Sequence, residues 1–474
     1  MNFETIIGIE IHLQLKTKTK MFSPAQNISN AAPNTHVHVI DMGFPGVLPR
    51  VNKKAVELAL IACKAFNMNI DRELHFDRKN YFYADLPKGY QITQDKRPIG
   101  KNGFITINID GKEKNIGLER IHLEEDTAKQ LHFSNFTLLD YNRCGVPLIE
   151  IVSKPDIRSA KEAAAYVETL RNTLLYLDVS DCKMEDGSLR CDINISLRPF
   201  GQKEFGCKVE IKNLNSINNI EKAIDYEINR QTALLLKNEK IEMETRRFDE
   251  NTKATVLMRK KTEAVDYKYF TEDNIVPIKL DDKWVDSIIN NLIELPYQKE
   301  KRYQKEYNLS EYDAKVLTSN KYLAQLFENC INYHHNYKGI ANWLMGDLLA
   351  YLNKNSLSLE KENINAKEIA TMVKYIDEGK ISSKQAKEIF EKFLTSKKII
   401  DTIIKEMNIV QISDLNVLEK IVSDVLLENP NSISDYKAGK DRAFGYLIGQ
   451  IMKKTKGQAN PQLVNSLLRK KLDN

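Results

Sequence analysis

The chain has 474 residues, of which 28% are charged and 42% hydrophobic, and a formal net charge of +5. That length exceeds one ordinary core and points to roughly two to four domains, while no apolar run approaches the ~20 residues of a bilayer-crossing helix. The six cysteines form no C-x-x-C pair and no metal-ligand spacing, which predicts buried, reduced thiols in a cytoplasmic protein, with no disulfide and no structural zinc.

The first predicted element is a strand, Thr5 to Lys16. Ile7, Ile9, Ile11, Leu13 and Leu15 alternate with Gly8, Glu10, His12 and Gln14, so one face is apolar and the other carries a carboxylate beside an imidazole. That spacing suits half of a metal site, although for the strand taken alone a solvated edge strand is the plainer explanation. A strand starting so near Met1 leaves no room for a signal or transit peptide. The aromatic-basic stretch Asp77-Arg-Lys-Asn-Tyr-Phe-Tyr83 reads either as a base-binding surface or as packed tyrosines with solvated lysines. Its partner in composition, Asp266-Tyr-Lys-Tyr-Phe270, reads the same two ways. Leu123-Glu-Glu-Asp126 is acidic, and Glu150 sits inside the apolar run Val146 to Val152, where a carboxylate needs a cation or donors. Ion pairing with Arg143 or Lys79 would also serve.

Apolar residues at three- and four-residue spacing predict helices at about Ser159–Leu177 and Asn219–Leu236. Between them lie two more alternating strands. Cys191 to Leu197 puts Asp192, Asn194 and Ser196 on its polar face, and Cys207 to Lys212 puts Lys208, Glu210 and Lys212 there. Asp186-Gly187 is a hairpin turn signal that brings Glu185 beside the first. If these strands join the first one, their wet face collects Glu10, His12, Asp192, Asn194 and Glu210. Oxygen ligands with one histidine suit Mg²⁺ or Mn²⁺, ions that serve phosphate chemistry.

After Leu295-Pro296 the pattern turns helical, with segments near Ser310–Cys330, Asn342–Leu352, Ser382–Leu394, Ser413–Leu427 and Lys440–Lys453. Ser382 with Gln385 predicts a capping box, and Asn429-Pro430 a helix stop. The fold class is therefore α+β. A sheet-rich domain (1–295) precedes a helical domain (296–405) and a small helical tail (406–474). The last 44 residues carry nine Lys/Arg against three Asp, a net +6 that leaves the rest of the chain at −1. A basic tail on a near-neutral body suits a polyanion such as nucleic acid, although solubility alone would also account for it.

No P-loop, dinucleotide fingerprint, nucleophile elbow or Gly/Ser-rich amidase loop is present. The residues alone leave open a metal-dependent phosphotransferase, a tRNA-binding scaffold and a nuclease.

Long motifs along the whole chain resemble the B subunit of the tRNA-dependent amidotransferase, the heterotrimer GatCAB. They include Gly8-Ile-Glu-Ile-His12, Gly43-Phe-Pro-Gly-Val-Leu-Pro49, Phe76-Asp-Arg-Lys-Asn-Tyr-Phe-Tyr83, Leu123-Glu-Glu-Asp-Thr-Ala-Lys129, Pro147-Leu-Ile-Glu-Ile-Val152, Ser188-Leu-Arg-Cys-Asp-Ile-Asn-Ile-Ser196 and the tail from Gly449 to Pro461. The resemblance implies ATP-dependent phosphorylation of the side-chain carboxylate of Glu-tRNA(Gln) or Asp-tRNA(Asn), by a carbon–nitrogen ligase using glutamine as nitrogen donor. Ammonia released by a glutaminase A subunit then forms the amide, in a complex completed by a C subunit. It further implies Mg²⁺ held by Glu10, His12 and Glu125. Glu150, Asp192 and Glu210 would complete the acidic pocket, Lys79 would lie near the transferred phosphate, and the tail would contact tRNA. Some relatives carry zinc-binding cysteines before the Gly-Phe-Pro-Gly loop. Thr35-His-Val-His-Val-Ile40 stands there instead, so no zinc is expected.

Overall fold

The alternation of the first strand becomes the centre of a nine-stranded sheet. In the computed structural model, which describes residues 3–28, 31–260, 267–407, 415–455 and 459–473, its strands in chain order are β1 (Phe3–Gln14), β2 (Asn69–Ile70), β3 (Gly100–Ile109), β4 (Lys112–Glu125), β5 (Pro147–Ser153), β6 (Leu189–Pro199), β7 (Val209–Lys212), β8 (Glu244–Asp249) and β9 (Ala254–Lys260). Their order across the sheet is β9-β8-β7-β6-β1-β5-β4-β3-β2. All neighbours run antiparallel except β7 and β8. The strands carrying Glu10/His12, Asp192/Asn194 and Glu210 are therefore adjacent, and their shared parity puts these residues on one face.

One face is dry. Ile7, Ile9, Ile11 and Leu13 on β1 are at most 1% exposed, and Ile149, Ile151, Cys191, Ile193, Val209 and Ile211 join them in one core. Burying each such Ile or Leu contributes about 1.5–3 kcal/mol. The cover is three helices: α1 (Lys53–Ala65) against β4 and β5, α2 (Ala160–Tyr176) against β3, and α3 (Ile217–Leu236) against β6. Ser159 and Ser216 cap α2 and α3 by accepting from the backbone N–H of Glu162 and Asn219. Sequence periodicity predicts no helix at α1. Its run Val56-Glu-Leu-Ala-Leu-Ile-Ala-Cys63 is apolar nearly all round, and such a run does not separate helix from buried strand.

Residues Met1–Leu295 form one compact unit and Pro296–Asn474 a second, whose described elements are all helices. The expected helix Ser310–Cys330 is two, Glu311–Thr318 and Lys321–Ile331, because the Asn320 side chain accepts from Tyr322 and Leu323 N–H and starts a new one. The expected capping box forms in full, Ser382 with Gln385. The predicted start at Ser413 lies outside the described residues, and the helix is described from Leu415 to Glu428. Pro430 both follows its end and opens Pro430–Lys437, a first-turn position that proline tolerates. The unit has two separate hydrophobic cores, one spanning Tyr303 to Ile403 and one Leu418 to Leu472. Asn460 joins them, its Nδ2 donating to the Gly379 carbonyl at 3.3 Å. No helix among the described residues is long and apolar enough to cross a membrane.

Candidate active site

The wet face of the sheet is set by register. His12 on β1 pairs with Arg190 on β6 and Glu150 on β5, and Glu150 pairs in turn with His122 on β4. Directly opposed residues share a face, so an imidazole, a carboxylate and a second imidazole stand in a row across three strands. Glu124, two residues beyond His122, projects to the same side. The His12 Nε2 lies 3.6 Å from both Glu124 Oε1 and Glu150 Oε2. The His122 Nε2 lies 3.1 Å from Glu150 Oε2 and 3.6 Å from Glu124 Oε2. Among the described residues, His12, Glu124 and Glu150 form the one group of potential metal ligands, with ligand atoms within 4.8 Å of one another.

The electrostatics fit a cation. Burial disfavours charge on His122, but Glu150 and Glu124 outweigh it and push the imidazole up to about 9. Burial likewise opposes ionisation of Glu150, yet His122 and His12 hold its carboxyl well below the usual range. Glu124 Oε1 is buried without a hydrogen-bond partner, which leaves acceptor capacity at the cluster. One imidazole with two carboxylates is a donor set that suits Mg²⁺ or Mn²⁺.

The remaining expected residues divide. Glu10 faces the same side, accepts from Asn194 Nδ2 at 2.9 Å and opposes Asp192 across the β1–β6 pair. Burial, with Glu150 and Asp192 nearby, raises its carboxyl above the ordinary value. Asp192 and Glu210 are bridged by Lys212, at 3.3 Å to Glu210, and Glu210 also accepts from Thr245 at 2.8 Å. Those two acids are thus held by a lysine from their own sheet. Glu125 is placed elsewhere. Alternation sends it to the Leu123 side of β4, where it is 2% exposed, pairs with buried Lys88 and accepts from Ile92 N–H at 3.0 Å. Burial opposes charge on Lys88, but Glu125 outweighs it and raises the ammonium above its usual value. Glu124, not Glu125, therefore stands with His12, because neighbouring residues of a strand point to opposite faces.

Lys79 lies on the short strand Asp77–Asn80. Burial lowers its ammonium, but Glu124 and other neighbours, Glu150 included, raise it to a net increase. Glu185, in the turn closed by Gly187 N–H donating to Met184 O, does line the cleft. No strand precedes that turn, so it is not a hairpin. Of the aromatic-basic segments, Asp266 lies outside the described residues, while Tyr81, Tyr267 and Tyr269 pack edge to face in series.

Over this floor opens a cleft of ≈ 870 Å³, whose lining includes His12, Asp192, Lys129, Arg143, Arg190 and Lys212. Acid at its base and cations on its walls is an arrangement able to hold a polyphosphate with its counter-ion. Arg190 leans on buried Asp126 at 3.0 Å, and that carboxylate, ahead of the cost of burial, raises the guanidinium further. His122, Glu124, Arg190 and Lys212 do not stand out as site residues from sequence. A signal exists for the first two: His122 and Glu124 repeat the two-residue spacing of Glu10 and His12.

Comparison with known proteins agrees with this layout. Residues 5–286 match the family model described as the GatB/GatE catalytic domain, and residues 325–472 match that of the GatB domain. Relatives that carry the name of the B subunit of aspartyl/glutamyl-tRNA(Asn/Gln) amidotransferase are similar over their full length. The one from Geobacillus thermodenitrificans is 52% identical over 469 residues, 99% of this chain and 98% of its own. The one from Staphylococcus epidermidis is 51% identical over 474 residues, 100% of both chains. With both family models matched in order and half of all positions shared end to end, the chain belongs to the GatB family.

Proposed function

We propose that this chain is the carboxylate-activating subunit of a tRNA-dependent amidotransferase, working in a multi-subunit complex as its relatives' name implies. The observation that carries the reading is the His12–Glu124–Glu150 cluster, whose His12 also lines the cation-walled cleft. A carboxylate is a poor electrophile until one oxygen becomes a good leaving group. ATP would transfer its terminal phosphoryl group to the side chain of Glu-tRNA(Gln) or Asp-tRNA(Asn). Ammonia, released from glutamine by the A subunit, would then attack the acyl carbon and phosphate would depart. Phosphoryl transfer asks the protein chiefly for position and charge.

His12, Glu124 and Glu150 would hold the divalent cation, Mg²⁺ in this reading, which neutralises phosphate oxygens when bound. Glu10, next to that trio, and Lys79 would face the reacting groups, while Lys212 keeps Asp192 and Glu210 in place. Glu125, paired to Lys88, would brace β4 from the other face. The division of labour follows the chain: residues 1–295 for catalysis, 296–405 as a helical domain and 406–474 as a basic tail that contacts tRNA phosphates. Arg469, Lys470 and Lys471 are exposed near the C-terminal end of Pro461–Asp473.

The test is reconstitution with the A and C subunits, ATP, Mg²⁺ and glutamine, supplying Glu-tRNA(Gln) and Asp-tRNA(Asn) separately and measuring amidated product. Glu124→Gln should abolish product with tRNA affinity kept. Full activity in that variant would favour a scaffold with its chemistry elsewhere. Turnover of tRNA by the chain alone, without ATP, would favour the nuclease.

A further inference from the structure

The cations around the floor are not equivalent. Lys212 is paired with Asp192 and Glu210, and Arg190 with Asp126. The Lys79 ammonium makes no ion pair or hydrogen bond with any described residue, although its charge interacts with Glu124 and Glu150. Its Nζ stands 4.7 Å from the centroid of the Tyr267 ring and 5.9 Å from that of Tyr81. Those rings meet edge to face, 5.8 Å apart at 71°, and Tyr269 braces Tyr267 in turn at 6.3 Å and 74°.

Tyr267 comes from far along the chain, and its placement is built. Asn80 N–H donates to the Tyr267 carbonyl at 2.9 Å and Asn80 Nδ2 to the Lys268 carbonyl at 2.7 Å. Phe270 then pairs with Arg78 across a β-ladder, and Arg78 grips buried Glu272 with two hydrogen bonds of 2.7 and 2.9 Å. The segment is thus stitched to the strand that carries Lys79. An aromatic face attracts an ammonium without offering a lone pair. A carboxylate in that position would neutralise the lysine and compete with any arriving anion.

We infer that Tyr267, seconded by Tyr81, is a positioning residue that holds the Lys79 ammonium unpaired over the acidic floor, ready for the phosphoryl group of the nucleotide. The inference rests on the carboxylate-activation reading above. It assigns the effect to the electron-rich ring, so the ring's charge distribution, and not its shape, must carry it.

The test uses the reconstituted complex with position 267 occupied by phenylalanine and its 3,5-difluoro and 3,4,5-trifluoro forms, introduced by suppression at that codon. Fluorination drains the ring face and hardly alters its outline. Measured against Tyr267→Phe, kcat/KM for ATP in amide formation should fall stepwise along the series by about three- to tenfold in all. Thermal midpoints should not move. A flat series overturns the inference, as does loss of all activity already in Tyr267→Phe, which would assign the role to the hydroxyl. Equal falls in activity and thermal midpoint would make the ring structural and overturn it as well. If the wild-type complex forms no amide from either tRNA, the underlying reading fails instead, and the two failures are told apart.

Discussion

His122 and Glu150 face each other across β4 and β5, their Nε2 and Oε2 3.1 Å apart. The same carboxylate oxygen lies 3.6 Å from His12 Nε2, so one oxygen of Glu150 is shared by two imidazoles. His122 is buried and His12 half-buried, which makes the first a support for the acid and leaves the second toward the cleft.

Removing that support should loosen the cation site. For His122→Gln we expect Mn²⁺ affinity of the complex to drop about 10- to 100-fold, the range seen when groups behind metal ligands are lost. Electron paramagnetic resonance titration of free Mn²⁺ measures it, and unchanged affinity would count against the cluster as a cation site.

The two adjacent acids of β4 should separate by phenotype. Glu124→Gln leaves the core intact, so amide formation should vanish with the unfolding midpoint nearly unchanged. Glu125→Ala strands the Lys88 ammonium, whose side chain is 4% exposed. It should destabilise the chain by about 3–5 kcal/mol, as breaking a buried pair does. Denaturant titrations beside activity assays distinguish the two, and a stable, inactive Glu125→Ala would give that residue a direct chemical role.

The helical unit carries its own acid sensitivity. Asp313 is buried, caps against Ser310 and pairs with Lys338. Burial raises its carboxyl, but Lys338 and Ser310 outweigh this and bring it below the ordinary value. A depressed folded-state pKa adds stability above the unfolded value of about 4, and that stability is lost as pH falls through the lower folded value. Asp313→Asn should therefore unfold earlier than wild type at pH 7, with the gap closing as pH falls through the lowered folded-state value. A gap that stays constant with pH would point to packing instead of charge.

The tail prediction concerns salt. Lys453 and Lys470 are exposed on Asp441–Lys454 and Pro461–Asp473. If they meet tRNA phosphates, Lys453→Glu with Lys470→Glu should weaken binding about tenfold at moderate salt. The plot of log affinity against log salt should flatten by roughly one to two units, since each lost contact removes about 0.7–0.9 from the slope. Anisotropy titrations over a KCl series measure this, and a parallel shift without flattening would remove those lysines from the interface.

The sheet's wet face is legible because its signal is local. Alternation in β1, β6 and β7 marks Glu10, His12, Asp192 and Glu210 within a few residues each. The choice between Glu124 and Glu125 is not, because it depends on the register of β4 against β5 and not on either residue's chemistry. Tyr267 stands in a visibly aromatic segment, yet nothing in its neighbourhood says that it meets Lys79, 188 positions earlier. Helix α1 escapes for another reason. It covers the sheet with apolar side chains on most of its surface, eight of them buried, so the polar stripe that reveals an amphipathic helix is nearly absent.

The opposed faces of β1 have a consequence for how this strand can change through time. Single replacements at its exposed rim can be absorbed, but the loss or gain of one residue between Ile6 and His12 would exchange Ile9 and Ile11 with Glu10 and His12. Core and chemistry would then invert in the same event, with carboxylate turned into the apolar layer and isoleucine onto the cleft floor. The spacing of this segment should be as invariant in lineages of the protein as the side chains it carries.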